Sequence, residues 1–405
     1  MKYILLIGDG MADLPLDALN GKTPLEVAVT PVTDSLAKIS TLGTALTCPP
    51  PLKPGSDTAI MTIFGCDPAK LYFGRAPLEA AAQGVTVPDG ALAFRCNMAS
   101  IAQDEKGTFR MKSHSAGGID GESARALIEA LIADPEFAAE LSKANITIYP
   151  TDSYRHIVVQ RLKKPSRLTM YPPHDNLGKP VAEILPRGGD NADTLADIMM
   201  KSYEILSKSP INLQREAEGK LPANCVWFWA QGTSAQLPSF YSRYAKTGAV
   251  ISAVPLVQGI GALQGLDVIR VPGATGELDT NYEGKAAAAL DALKTRDFAA
   301  VHVEAPDECT HNGDIPGKVQ AIENIDTRVL KPILDGLSGQ SFRLLFLSDH
   351  YTLGANGMHD ATPVPYLLYD SDNAVLGCDR LTERCAASGE LIAGLTLMDL
   401  LFAQL

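Results

Sequence analysis

Three segments of this chain take the same course, a short apolar run that breaks into aspartate. They are YILLIGDG, reaching Asp9, then AAVHVEAPDECTHNGD, with Asp307 and His311, and RLLFLSDHYTLGANGMHD, with Asp349, His350 and His359. Apolarity without alternation describes a strand covered on both faces, as in a parallel sheet. The runs CVWFWA, GAVISAV, LDVIRV and PYLLYD read the same way. Amphipathic stretches such as NADTLADIMMKSYEILSKS, NYEGKAAAALDALKT and VQAIENIDTRVLKPILDGL stand between them. This alternation predicts an α/β fold with helices on both faces of a mostly parallel sheet.

Residues 86–189 depart from that pattern. ALAFRCNMASI, NITIYPTDSYRHIVVQRL and MYPPHDNLGKPVAEILPRGG are richer in polar alternation and proline, with one good helix, GESARALIEALIADPEFAAELSKA. The chain of 405 residues is long enough for more than one domain. The expectation is a discontinuous domain, 1–85 with 190–405, interrupted by a smaller α+β insert, 86–189.

In open α/β sheets the carboxyl ends of the strands form the ligand crevice, so the three polar segments are expected to converge. Taken singly, an aspartate at a strand end is a turn or cap former and a lone histidine is a packing residue. Jointly the pattern says more, because three of the seven histidines, His311, His350 and His359, each stand near such an aspartate. Asp307 and His311 are one helical turn apart, which aims both at one point. Asp9, Asp307 and Asp349 with the three imidazoles are too many ligands for one closed tetrahedral zinc. They suit two divalent ions such as manganese, zinc or magnesium. Cys309, inside the second segment, reads as a bystander.

PPPLKPGSDTAIMTIFG, residues 49–65, places Ser56 at a helix start, where it is either an N-cap or a nucleophile. A serine oxygen held by a divalent cation loses its proton easily. The same cations would neutralise a phosphoryl group in transfer, which makes Ser56 a phosphoryl acceptor.

A net charge of −12 argues against nucleic acid or an anionic membrane as main partner. Seven scattered cysteines without a CxxC pair read as thiols of a reducing cytosol. MKYILLIGDG reads as a first strand and not a signal peptide, and no apolar run reaches the roughly 18–20 residues of a membrane span, so a cytoplasmic protein is expected. NGKTP at 20–24 lacks the first glycine of a P-loop, and GIGALQG at 259–265 misses the dinucleotide spacing, so both read as turns.

With these residues in hand, the chain resembles the cofactor-independent phosphoglycerate mutases of the archaeal-type branch of the alkaline phosphatase superfamily. The likeness is carried by GDGMAD, KTPLEVAVTPVTDSLA, PGSDTAIMTIFGCDP, GRAPLEAAAQGV, SYRHIVV, VPGATGELDTNYEGKA, VEAPDECTHNGD, SDH and MHDATPVPYLLYD. The resemblance implies an alkaline-phosphatase-like sandwich and transfer through a phosphoserine at Ser56 without 2,3-bisphosphoglycerate. It implies one ion, manganese first among the choices, held by Asp9, Ser56, Asp349 and His350, and a second held by Asp307, His311 and His359. The insert would bind the small phosphorylated acid, with Arg155, His156 and Arg75 as its anion-binding residues, and Arg95 and Lys179 behind them.

Two features differ from the archaeal pattern: Ile60 stands where a histidine is usual, and the loop from His350 to His359 has no arginine. YPPHDNLGKPVAEILP, CVWFWAQG and VEAPDEC resemble a bacterial subgroup proposed to phosphorylate homoserine. A homoserine phosphotransferase, or another phosphomutase or phosphatase of the superfamily, therefore stands beside the mutase, and a non-catalytic metal-stabilised binding protein is the alternative of another class.

Overall fold

The computed structural model describes residues 1–162 and 167–403. It divides into two compact units, Met1–Tyr72 with Gln236–Leu405, and Phe73–Ala235. In chain order the strands are β1 (Lys2–Gly8), β2 (Thr41–Leu46), β3 (Ala91–Gln103), β4 (Phe109–Ser113), β5 (Ile146–Tyr149), β6 (Arg155–Arg161), β7 (Cys225–Thr233) and β8 (Gly248–Ile251). They continue with β9 (Asp267–Ile269), β10 (Phe298–Val303), β11 (Phe342–Ser348), β12 (Tyr351–Thr352), β13 (His359–Asp360), β14 (Val364–Asp370) and β15 (Glu390–Ala393).

The first unit is built on an eight-stranded sheet in the order β15-β2-β14-β11-β1-β10-β8-β9. From β11 to β9 all neighbours are parallel, and β14 runs against both of its neighbours. PYLLYD is therefore the antiparallel member of an otherwise parallel set. Side chains of β1 alternate between two apolar layers. Ile4 and Leu6 join Val301, Leu344 and the helices Tyr282–Thr295 and Ile315–Asn324 on one face. Tyr3, on the other, meets Phe402 edge to face at 4.9 Å between ring centroids. Register then matters for the polar residues: Gly8 lies opposite Val303 on one side and Ser348 on the other, so β1, β10 and β11 end level.

The second unit holds a five-stranded sheet in the order β4-β3-β6-β5, with β7 paired to β3, and every pairing is antiparallel. The unit spans 73–235, wider than the expected insert of 86–189. CVWFWA is the reason: as β7 it pairs with β3 over Leu92–Ala99 and so belongs here, not to the parallel sheet. The helix Ala192–Leu206 packs over this sheet through Leu195, Ile198 and Met199, and comes with it. The expected single helix of this region is two, Gly121–Ala133 and Pro135–Lys143, because Pro135 cannot continue a helix and Asp134 caps the second.

Cys378 and Cys385 are joined in a disulfide, against the expectation of thiols throughout, and the other five cysteines are free and buried. Among the described residues, no helix is long and apolar enough to cross a membrane.

Candidate active site

The level ends of β1, β10 and β11 bring the aspartates together. Asp9 follows β1, and Asp349 and His350 follow β11. Asp307 and His311 lie on the helix Ala305–His311 that begins just past β10, and His359 opens β13. Ser56 is the first residue of the helix Ser56–Ile63. Gly55 holds the cap position, and no side chain caps this helix, so the serine is not spent on the N-cap role open to it in the sequence.

These residues form two clusters. In one, His350 Nε2 lies 3.2 Å from Ser56 Oγ, 3.4 Å from Asp9 Oδ1 and 3.3 Å from Asp349 Oδ2. In the other, His311 Nε2 lies 3.1 Å from Asp307 Oδ2 and 3.0 Å from His359 Nε2, and His359 Nε2 is 3.4 Å from Asp307 Oδ1. The rings of His350 and His359, 4.1 Å apart at their centroids, join the clusters. Within each, one carboxylate or imidazole atom per residue lies within 4.8 Å of all the others.

Each carboxylate of the first cluster has one anchored oxygen and one without a hydrogen bond. Asp349 Oδ1 accepts the N–H groups of Gly10 and His350 at 3.0 and 2.8 Å, whereas Oδ2 is buried with no hydrogen-bond partner. Asp9 Oδ2 is 3.0 Å from His302 Nε2, and its Oδ1 is likewise buried without a hydrogen bond. Burial, followed by the charges of Asp349, Asp307 and Glu304, holds the Asp9 carboxyl well above the usual carboxylate range. At Asp307 burial acts upward too, but the hydrogen bonds of His311 and His359 outweigh it and hold that carboxyl well below the range. The hydrogen bond to Asp307 raises His311, and burial lowers His350. Buried carboxylates without a counter-charge are costly. The oxygens of Asp9 and Asp349 that carry no hydrogen bond, both beside His350 Nε2, are a donor set that fits a divalent cation, as does the facing pair of imidazole nitrogens in the second cluster.

Some residues around the clusters were not anticipated. His302 stands inside the apolar run VHVE, and Ser252 Oγ is 3.2 Å from its Nδ1. Burial pushes His302 down to about 3. Lys285 Nζ donates to the carbonyl of His302, and burial lowers this ammonium to about 8. Neither has a sequence signal beyond a polar residue within an apolar run.

In the second unit the anion-binding candidates separate. Arg155 and His156 are successive strand residues and so face opposite sides of the sheet. The Arg155 guanidinium lies over Tyr154 and Trp229, 5.2 and 5.8 Å from the ring centroids. Arg95 is 4.7 Å over the same Trp229 and forms a buried two-bond pair with Glu79, whose Oε1 is 3.3 Å from Arg75 Nε. Burial would raise Glu79, but Arg95, then Arg75 and Arg155, hold it below its ordinary value. Three guanidiniums around one carboxylate leave a positive excess. His174, 5.0 Å from Trp229, completes the group with His114, and burial lowers both imidazoles. His156 lies apart: it is fully buried, accepts the Thr151 N–H at Nδ1, and is pushed down to about 4 by burial. Its Nε2 is buried without a hydrogen bond. Lys179 is held by Asn176 Oδ1 at 2.9 Å.

A family model described as 2,3-bisphosphoglycerate-independent phosphoglycerate mutase matches residues 37–212. A protein of that name from Methanosarcina barkeri is 47% identical over 398 residues, covering 96% of each chain. Among solved structures, a Pyrococcus horikoshii protein is 30% identical with a TM-score of 0.82, covering 100% of this chain and 98% of its own. The cofactor-independent phosphoglycerate mutase of Thermoplasma acidophilum is 26% identical with a TM-score of 0.64, covering 99% and 98%.

Proposed function

Because the chain belongs to the 2,3-bisphosphoglycerate-independent phosphoglycerate mutase family, we infer how its residues divide the work of that reaction. The enzyme interconverts 3-phosphoglycerate and 2-phosphoglycerate, an isomerisation by phosphoryl transfer that needs divalent cations and no bisphosphoglycerate. One cation is assigned to Asp9, Ser56, Asp349 and His350, the other to Asp307, His311 and His359, with manganese the ion proposed. Bound there, the cations supply positive charge that acidifies the serine hydroxyl and neutralises the phosphoryl oxygens.

Ser56 Oγ is the proposed acceptor. Its bond to phosphorus forms as the bond from phosphorus to one glycerate hydroxyl breaks, and the return transfer to the other hydroxyl restores the serine. The observation that carries this reading is the hydroxyl's position, 3.2 Å from His350 Nε2 in a cluster whose carboxylates each keep one oxygen free of hydrogen bonds. Ile60, one turn further along the helix, is fully buried, so the histidine usual there is replaced by a packing residue. The second unit is assigned the glycerate: Arg75, Arg95 and Arg155, with their positive excess, suit a carboxylate or phosphate. Work in the cytoplasm, where its phosphorylated acid substrates are held, is part of the same proposal.

Phosphorus NMR of the manganese-loaded protein with 3-phosphoglycerate tests this. Appearance of 2-phosphoglycerate without free phosphate is expected, and Ser56→Ala should show neither product nor phosphoprotein. Isomerisation by Ser56→Ala at the wild-type rate would remove the serine from the mechanism, and an unchanged wild-type spectrum would favour homoserine as acceptor.

A further inference from the structure

Besides the proposed ligands, the side-chain hydroxyl of Thr352 touches both clusters. Thr352, fully buried at the end of β12, has its Oγ1 2.5 Å from Asp307 Oδ1 and 3.2 Å from His350 Nδ1. An ionised carboxylate only accepts, so the short contact has Thr352 donating to Asp307. A hydroxyl has one proton. With it committed to Asp307, Oγ1 can only accept from His350 Nδ1, which must then carry the imidazole proton. The carbonyl of Tyr351, 3.3 Å from the same nitrogen, is also an acceptor and requires the same tautomer. A neutral imidazole protonated at Nδ1 presents a lone pair at Nε2. That is the atom facing Ser56 Oγ, Asp9 Oδ1 and Asp349 Oδ2.

We propose that Thr352 is a positioning residue shared by the two clusters, fixing the His350 tautomer and the Asp307 carboxylate through one hydroxyl so that both become ready for a cation together. The proposal rests on the two-cation reading above. Gly10 belongs to the same arrangement: its φ is +59°, and a Cβ there would collide with Thr352 Oγ1 and Asp307 Oδ1. The backbone turn after β1 thus lies against the hydroxyl and the carboxylate it holds.

Two measurements test this. In the metal-free wild-type protein with ¹⁵N-labelled histidine, long-range proton–nitrogen correlation reads the His350 tautomer directly. Protonation at Nδ1 is expected, and protonation at Nε2 would overturn the proposal without any variant being made. Manganese titration followed by electron paramagnetic resonance then compares wild type, Thr352→Val and Thr352→Ser. Wild type should take up two ions, Thr352→Val should bind both about 10–100-fold more weakly, and Thr352→Ser should restore both. Unchanged affinities in Thr352→Val, or weakening at one site alone, would refute the coupling. Uptake of fewer than two ions by wild type would instead refute the two-cation reading, and the tautomer measurement would still judge Thr352.

Discussion

Lys318 Nζ lies 2.9 Å from Asp13 Oδ2, and neither side chain is exposed to solvent. The ammonium also donates to the Thr352 carbonyl at 2.7 Å, and Asp13 accepts the Gly354 N–H, so the pair fixes the turn between β12 and β13 that leads to His359. Removing one partner would leave the other as an uncompensated buried charge. Lys318→Met should therefore lower the free energy of unfolding by about 3–5 kcal/mol, and the double variant with Asp13→Asn should recover much of it. Urea unfolding of the metal-free proteins measures both, and equal stability of Lys318→Met and wild type would show the pair to be dispensable.

Stripping the protein with a chelator should abolish isomerisation, and manganese should restore it. Asp349→Asn keeps the oxygen that accepts two backbone N–H groups but loses the full charge of the carboxylate. It should stay folded, bind manganese more weakly and lose activity by orders of magnitude. Full turnover in the variant without added metal would count against the assignment of the first cluster.

Arg155→Met should raise KM for 3-phosphoglycerate about 10- to 100-fold, the value of a lost charge-assisted hydrogen bond, with a smaller change in kcat. Arg155→Lys should recover only part, because a single ammonium cannot form the fork. Steady-state kinetics at saturating metal decides, and unchanged KM would take Arg155 out of the substrate site.

His156 predicts an acid limb of stability in the second unit. Its folded value is about 4 against an ordinary 6.5, so between these the unfolded chain binds a proton that the native imidazole refuses. Stability from this group is complete above pH 6.5 and lost as pH falls toward 4, by about 3 kcal/mol in all. Both tryptophans, Trp227 and Trp229, sit in β7, so their fluorescence reports this unit's unfolding. His156→Gln should flatten the slope between pH 6.5 and 4, and a slope equal to wild type would mean that other groups set it.

The convergence at the first unit was legible because it rests on rules that act along the chain. An apolar run ending in aspartate marks a parallel strand's carboxyl end, and the spacing of Asp307 and His311 is one helical turn. What could not be read was which strand joins which sheet. CVWFWA is apolar throughout, as a parallel strand would be, because β7 is covered on both faces inside its antiparallel sheet. Pairing partners are set by packing between distant segments, which a single run of residues does not encode. His156 lies on the other face of β6 from Arg155 for a local reason, since adjacency in sequence is opposition across a strand. Thr352 and His302 escaped notice because a buried threonine or histidine has the same sequence surroundings whether it packs or orients a ligand.

The pairing of β1 has a consequence for how the chain is made. Its two neighbours, β10 and β11, begin at Phe298 and Phe342, and the bonds that steady Asp9 and Asp349 bridge 293 and 339 positions. At the usual rate of about 5–20 residues per second, the first strand leaves the ribosome roughly a quarter of a minute to a minute before either partner exists. A nascent chain thus carries an apolar, unpaired YILLI until the strands beginning at Phe298 and Phe342 have been made, the kind of segment that chaperones bind. The first cluster is incomplete until His350 has been translated and the second until His359 has, so a product that stops before His350 lacks ligands of both.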